Sequence, residues 1–124
     1  MTAIPDRCMG DVESRTFDLN IPGPENNVRL LVVTVGFQGA RPYELFVNRC
    51  PDDQRASANA CARLISKWMQ ADGEIGDIIS QLEGQSDPWP AVPHSRLVNN
   101  TRPFIKSTPD ALAWVLKEVT GHPR

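Results

Sequence analysis

Alternation of apolar and polar residues predicts three β-strands in the first half of the chain. Residues 14–19 alternate, with Arg15, Phe17 and Leu19 on one side, and the Pro- and Gly-containing segment 20–24 closes this short strand. Residues 27–37 form the strongest pattern, because one face carries Val28, Leu30 and Val32 and the other carries Leu31, Val33 and Val35. Two apolar faces indicate a central strand covered on both sides, by helices or by a second subunit.

A third strand follows at once. Residues 38–41 contain Gly39 and predict a turn, and residues 42–48 return as an alternating run. Two β-runs joined by a short Gly-containing link predict a hairpin.

Three helices are predicted downstream by 3.6-residue spacing. The first runs from about Asp52 or Asp53, either of which can cap it, to Gln70. Its apolar stripe is Ala60, Cys61, Leu64, Ile65, Trp68 and Met69. The second covers 74–82 with Ile75, Ile78, Ile79 and Leu82 inward. The last begins with Thr108 as N-cap and Pro109 as first residue, and buries Leu112, Val115, Leu116 and Val119. Trp114 fits either the core or a dimer face.

Residues 85–106 form a long connection rich in proline, amide and aromatic residues. A connection of this length in a small domain is usually functional or disordered. A short strand is expected within 98–106, and Pro103 places it at a sheet edge.

These elements predict an α+β fold in which a small antiparallel sheet, the hairpin plus one or two short strands, is covered by three helices. We expect a flexible tail over 1–13 and one domain over 14–124. The net charge is −2, from 13 Lys+Arg and 15 Asp+Glu, which argues against binding to duplex DNA or to a membrane surface. Three cysteines without metal spacing predict neither a disulfide framework nor a zinc site, and indicate a cytoplasmic protein without a cofactor.

Catalytic chemistry has little support in the sequence. Cys50, His94 and His122 are far apart along the chain and lack an orienting third group, and no Walker loop or GxGxxG is present. Asp52 and Asp53 are better explained as helix caps than as Mg²⁺ ligands. We therefore predict a protein that is not an enzyme, with a small nucleotide hydrolase as the less favoured alternative.

Binding of a phosphorylated ligand has more support, because donors of several kinds are concentrated in the second half of the chain. Arg55 and Arg63 lie eight residues apart on one side of the first helix, although a solvated face explains them as well. Trp89, between two prolines, would offer a stacking surface or plug the core. The remaining candidates are donors in the long connection and at the start of the last helix: Asn99, Asn100, Arg102, Lys106, Ser107 and Thr108. Plain capping is the alternative for Ser107 and Thr108.

Two segments resemble the TSCPD domain, which occurs near the C-terminus of adenosylcobalamin-dependent ribonucleotide reductases and in small stand-alone proteins. The residues 33–37, Gly39 and 41–48 are similar to its hairpin, and the residues 106–110 align with its Thr-Ser-Cys-Pro-Asp stretch. Ser107, Pro109 and Asp110 are kept, whereas Lys106 and Thr108 replace Thr and Cys, so a thiol is missing there. The resemblance covers about 27–120 and implies an oligomeric domain associated with nucleotide metabolism. The barrel that reduces nucleotides is not part of the chain.

Two functions follow as hypotheses. The first is a non-catalytic binding protein that holds a nucleotide or cyclic nucleotide signal in a pocket completed by a partner subunit. In size and element order the chain is similar to phage proteins that sequester such signals to blunt bacterial immunity. The second is an accessory or regulatory domain of ribonucleotide reductase that acts through protein contacts.

Overall fold

The alternating first half of the chain forms a three-stranded antiparallel sheet in the computed structural model, which describes residues 13–93 and 104–121. The strands are β1 (Ser14–Pro22), β2 (Val28–Gln38) and β3 (Arg41–Arg49), in spatial order β1-β2-β3. The helices are α1 (Arg55–Gln70), α2 (Ile75–Leu82) and α3 (Thr108–Thr120). The short strands β4 (Val92–Pro93) and β5 (Phe104–Ile105) pair with each other across the long connection. The predicted α+β class, the hairpin and the three helices are confirmed.

Strand β1 is longer than predicted. It continues to Pro22, three residues into the segment expected to close it, and Pro22 pairs with Val28, the first residue of β2. The apolar alternation also continues, because Ile21 is fully buried beside Phe17 and Leu19. Proline is tolerated at this position because β1 is an edge strand and Pro22 is its last residue.

The helices cover one face of the sheet in the part of the chain described, so helices do not supply the predicted cover of the second face there. Leu31, Val33 and Val35 are completely buried, whereas Leu30 and Val28 on the opposite face are 37% and 53% exposed. Phe46 of β3 lies on this outer face, beside Thr34 of β2. Coverage of the outer face by a second subunit stays a prediction.

Helix α3 forms the centre of the core rather than a surface element with one inner face. Every residue from 111 to 117 is buried, while Val119 is only half-buried. The Trp114 ring packs edge-on against Phe17 with ring centroids 6.1 Å apart, so Trp114 belongs to the core.

The predicted apolar stripe of α1 is partly wrong. The helix buries Ala58, Ala62, Ile65 and Met69, whereas Ala60 is exposed and Leu64 and Trp68 are 68% and 40% exposed. Two adjacent apolar stripes satisfy the same helical spacing, and only packing against β3 decides which of them is buried. The exposed Trp68 ring instead covers Gly73 and donates through Nε1 to the Glu74 carbonyl at 2.7 Å.

Helix ends also differ from the predicted caps. Ser107, not Thr108, is the N-cap of α3, and its Oγ accepts from the Asp110 N–H at 3.2 Å. Neither Asp52 nor Asp53 caps α1 through its side chain; they pair with Arg55 and Arg29 instead.

The carboxylate of Asp110 joins three parts of the chain. It is fully buried, and it accepts from the backbone N–H of Gly84 at 2.8 Å and of Lys106 at 3.0 Å. Gly84, just after α2, adopts a positive φ of 83°, a conformation that glycine adopts without strain. The start of α3 is thereby fixed to the end of α2 and to the segment that follows β5.

Asp110→Asn should lower the free energy of unfolding by about 1–3 kcal/mol, because an amide can accept only one of the two backbone hydrogen bonds and loses their charge assistance. Urea denaturation measures the change. Asp77→Asn, at an exposed position in the first turn of α2, is the matched control and should cost much less. Equal losses in the two variants would contradict the assigned role.

Gly73→Ala should destabilise the fold by about 1–3 kcal/mol, because the added methyl would overlap the rigid indole of Trp68. A Cβ at position 73 would lie 2.3 Å from that ring. We expect a lower melting temperature and a red-shifted tryptophan emission as the ring is displaced. In a Trp68→Ala background the same substitution should have little further effect, and an undiminished loss there would contradict this explanation.

Candidate functional site

The beginnings of α1 and α3 lie side by side. Thr108 Oγ1 donates to Gln54 Oε1 at 2.8 Å, and Gln54 immediately precedes Arg55, the first residue of α1. Ser107 Oγ donates to the Gln85 carbonyl at 2.7 Å, which ties the start of the long connection to the same place. The structure thus brings together Arg55, the start of α3 and the first residues of the long connection.

The two hydroxyls predicted to bind a ligand already have partners within the fold. Ser107 and Thr108 are buried, and each hydroxyl takes part in the hydrogen bonds just described. Lys106, by contrast, has an exposed side chain. Lys106 is therefore accessible to a ligand in solution, whereas ligand binding by the hydroxyls of Ser107 and Thr108 stays a prediction.

Next to this junction, three arginines line one concavity of about 440 Å³. Arg29 is the second residue of β2, Arg49 is the last residue of β3, and Arg55 is the first residue of α1. We call this concavity the arginine pocket. Arg29 and Arg49 were not predicted, because strand pairing alone brings these distant positions together. The sequence does contain a signal, because an arginine lies at one end of each of the two strongest strand patterns. That signal is weak, because only the register of β2 against β3 shows that the two arginines come together.

Two carboxylates orient the guanidinium groups of the arginine pocket. Arg29 Nη1 lies 2.7 Å from Asp53 Oδ1, and Arg55 Nη2 lies 2.5 Å from Asp52 Oδ1. The hydrogen bond to Asp52 raises the pKa of Arg55. Arg49 is exposed, and no carboxylate among the described residues pairs with it. Because a guanidinium has five N–H donors, each arginine keeps donors for a further anion.

Arg63 lines a different concavity from Arg55. A groove of about 1130 Å³ runs between β3 and α1, and its walls include Phe46, Arg63, Leu64 and Lys67. We call it the β3–α1 groove. At its closed end Ser66 Oγ accepts from the Leu45 N–H at 2.9 Å and donates to the Leu45 carbonyl at 3.2 Å.

The remaining predicted site residues belong to the long connection. Trp89 is half-buried, so it is neither fully exposed nor packed in the core. The Asp87 N–H donates to the Lys106 carbonyl at 3.3 Å, which holds the start of the connection near α3. Asn99, Asn100 and Arg102 lie outside the described residues, and their role stays a prediction.

Groups capable of catalysis are not brought together in the described part of the chain. Cys50 lines the arginine pocket, while His94 and His122 lie outside the described residues. Partial burial raises the pKa of the Cys61 thiol, which keeps it in the less nucleophilic neutral form. Within residues 13–93 and 104–121, no group of three or more His, Cys, Asp or Glu is placed to hold a metal ion. The helices found there are also too short or too polar to cross a membrane.

Comparison with known proteins gives one match. The family model for the TSCPD domain matches residues 19–120, which is most of the chain. No curated protein and no solved structure matches the chain.

Ser107→Ala should lower the free energy of unfolding by about 1 kcal/mol or more, because it removes the N-cap acceptor of α3 and leaves the Gln85 carbonyl without its donor. Thermal unfolding is the measurement. Ser80→Ala, at an exposed serine in α2, serves as the control. A Ser107→Ala protein as stable as the control would show that this hydroxyl is available for another purpose.

Proposed function

The chain belongs to the TSCPD domain family, and we propose that it is a non-catalytic binding protein that captures a small phosphorylated ligand, a nucleotide or a cyclic nucleotide signal. The observation that carries the proposal is the convergence of Arg29, Arg49 and Arg55 on one pocket. Its volume of about 440 Å³ lies within the range typical of small-molecule sites.

The chemistry of the arginine pocket favours a phosphate group over a neutral ligand. Guanidinium groups bind phosphate oxygens through paired, charge-assisted hydrogen bonds. Asp53 pairs with the largely buried Arg29 and orients it before a ligand arrives, which reduces the entropy lost on binding, whereas the exposed pair of Asp52 with Arg55 restricts Arg55 much less. Arg49, without such a partner among the described residues, can turn toward the ligand.

The rest of the ligand would be bound by the other residues that the sequence analysis predicts. Lys106 lies just before α3, whose start is bonded to the start of α1. Trp89 would stack on a base, while Asn99, Asn100 and Arg102 would supply donors to its edge or to a second phosphate. A partner subunit would complete the pocket. Capture is then non-covalent, so the ligand is held and released intact and its free concentration falls by mass action.

A second candidate function is supported by the family match itself. As a TSCPD domain, the protein would act as an accessory or regulatory domain that contacts a ribonucleotide reductase. Co-purification with a reductase barrel at stoichiometric yield, together with no affinity for free nucleotides, would favour this candidate over ligand capture.

Arg49→Ala should weaken nucleotide binding about 10- to 100-fold, the loss that corresponds to one strong charge-assisted interaction. Isothermal titration calorimetry of the full chain against mono-, di- and cyclic nucleotides measures the affinity. Arg15→Ala, which removes an exposed arginine from the opposite edge strand, is the matched control and should leave binding unchanged.

Two results would overturn the proposal. One is the absence of binding below millimolar concentration for every nucleotide in the panel. The other is chemical change of the bound nucleotide, which mass spectrometry would detect after the protein is denatured and the ligand is recovered.

A further inference from the structure

The arginine pocket and the β3–α1 groove adjoin each other along two elements. On β3, Phe46 lines the groove and Asn48 lines the pocket. These two residues are two positions apart on one face of the strand and therefore about 7 Å apart. On α1, Ala56 lines the groove and its neighbour Arg55 lines the pocket. The two concavities therefore lie next to each other, and we call them together the depression.

The depression carries more cationic than acidic side chains, although two of its arginines, Arg29 and Arg55, are paired with Asp53 and Asp52. Its walls include five cations, Arg29, Arg49, Arg55, Arg63 and Lys67, against two acidic residues, Glu44 and Asp52. The five are part of the 13 Lys and Arg residues of a chain whose net charge is −2. Helix α1 carries Arg55, Arg63 and Lys67 and no acidic residue at all.

The same charges decide between two possible occupants of the depression. Two copies of the chain related by a two-fold axis would bring the same face of each together, and with it the cations of both α1 helices. Like charges at close range oppose such an interface. An anion, in contrast, would relieve the repulsion between Arg63 and Lys67, which lie one helical turn apart.

The depression also offers an aromatic surface in the groove that Arg63 and Lys67 line. Phe46 is 46% exposed and lies opposite Thr34 on the outer face of the sheet, and Leu64 faces it across the groove. A base can stack on an exposed phenyl ring with little dependence on its identity. Arg55 and Arg63 are separated by eight residues, which corresponds to about 12 Å along the helix axis.

We infer that the depression binds a dinucleotide-sized ligand with two phosphate groups, one held in the arginine pocket and one by Arg63 and Lys67, with a base stacked on Phe46. This inference rests on the proposed function and adds the ligand class, in which the two phosphates belong to different nucleotide units.

Calorimetry with two probes tests the inference on the full chain, using AMP and the linear dinucleotide pApA. We expect pApA to bind at least 10-fold more tightly than AMP. The double variant Arg63→Ala/Lys67→Ala should lose this advantage while its affinity for AMP stays unchanged. Phe46→Ala should weaken both ligands. Arg15→Ala is again the control, and circular dichroism checks that each variant is folded.

The outcomes separate this inference from the proposed function. If pApA binds no more tightly than AMP while AMP binding still depends on Arg49, the two-phosphate site is wrong and the proposed function stands. If neither compound binds and no other nucleotide does, both are wrong. Native mass spectrometry that shows a dimer abolished by Phe46→Ala would assign this face to a second copy and overturn the inference.

Discussion

The buried carboxylate of Asp110 is the interaction on which the rest of the fold depends. A charged side chain without exposure to water is stable only when its oxygens accept hydrogen bonds, and here the backbone on either side of the long connection donates them. The carboxylate also lies in the first turn of α3, where the helix dipole favours negative charge. Because α3 is buried on nearly all sides, the hydrogen bonds that fix its start also fix where the sheet and the other helices pack against it.

That constraint also arranges the candidate site. With α3 held at its start, the Thr108–Gln54 hydrogen bond sets where α1 begins, and so places Arg55 at the rim of the arginine pocket. The pocket therefore takes its arginines from β2, β3 and α1, and it does not require a cationic surface elsewhere on the protein. An acidic protein can hold an anion in this way, because the local field of the pocket differs in sign from the net charge.

The sequence predicts the strands and helices well, but it predicts less well which of their side chains are buried and which residues come together. Strand alternation in 14–48 identifies the strands, because that pattern arises from burial along one face. Residues 108–120 are also identified as a helix, but the predicted single inner face misses that every residue from 111 to 117 is buried. For α1 the same rule fails to choose between the stripe through Ile65 and the stripe through Leu64, since both fit the helical period. Arg55 could be predicted as a candidate from its place in the helix. Arg29 and Arg49 could not, because their proximity is created by the pairing of β2 with β3 and by the short turn into α1.

The bonds from Ser66 to Leu45 have a consequence for how copies of the chain can assemble. By occupying both the N–H and the carbonyl of Leu45, one hydroxyl blocks the outer border of β3 in the place where an added strand would have to pair. Gln70 reaches the Tyr43 carbonyl further along the same border. Growth of the sheet by hydrogen bonding from one molecule to the next is thereby prevented on this side. The molecule keeps an apolar outer face without presenting a template for fibrous aggregation along β3.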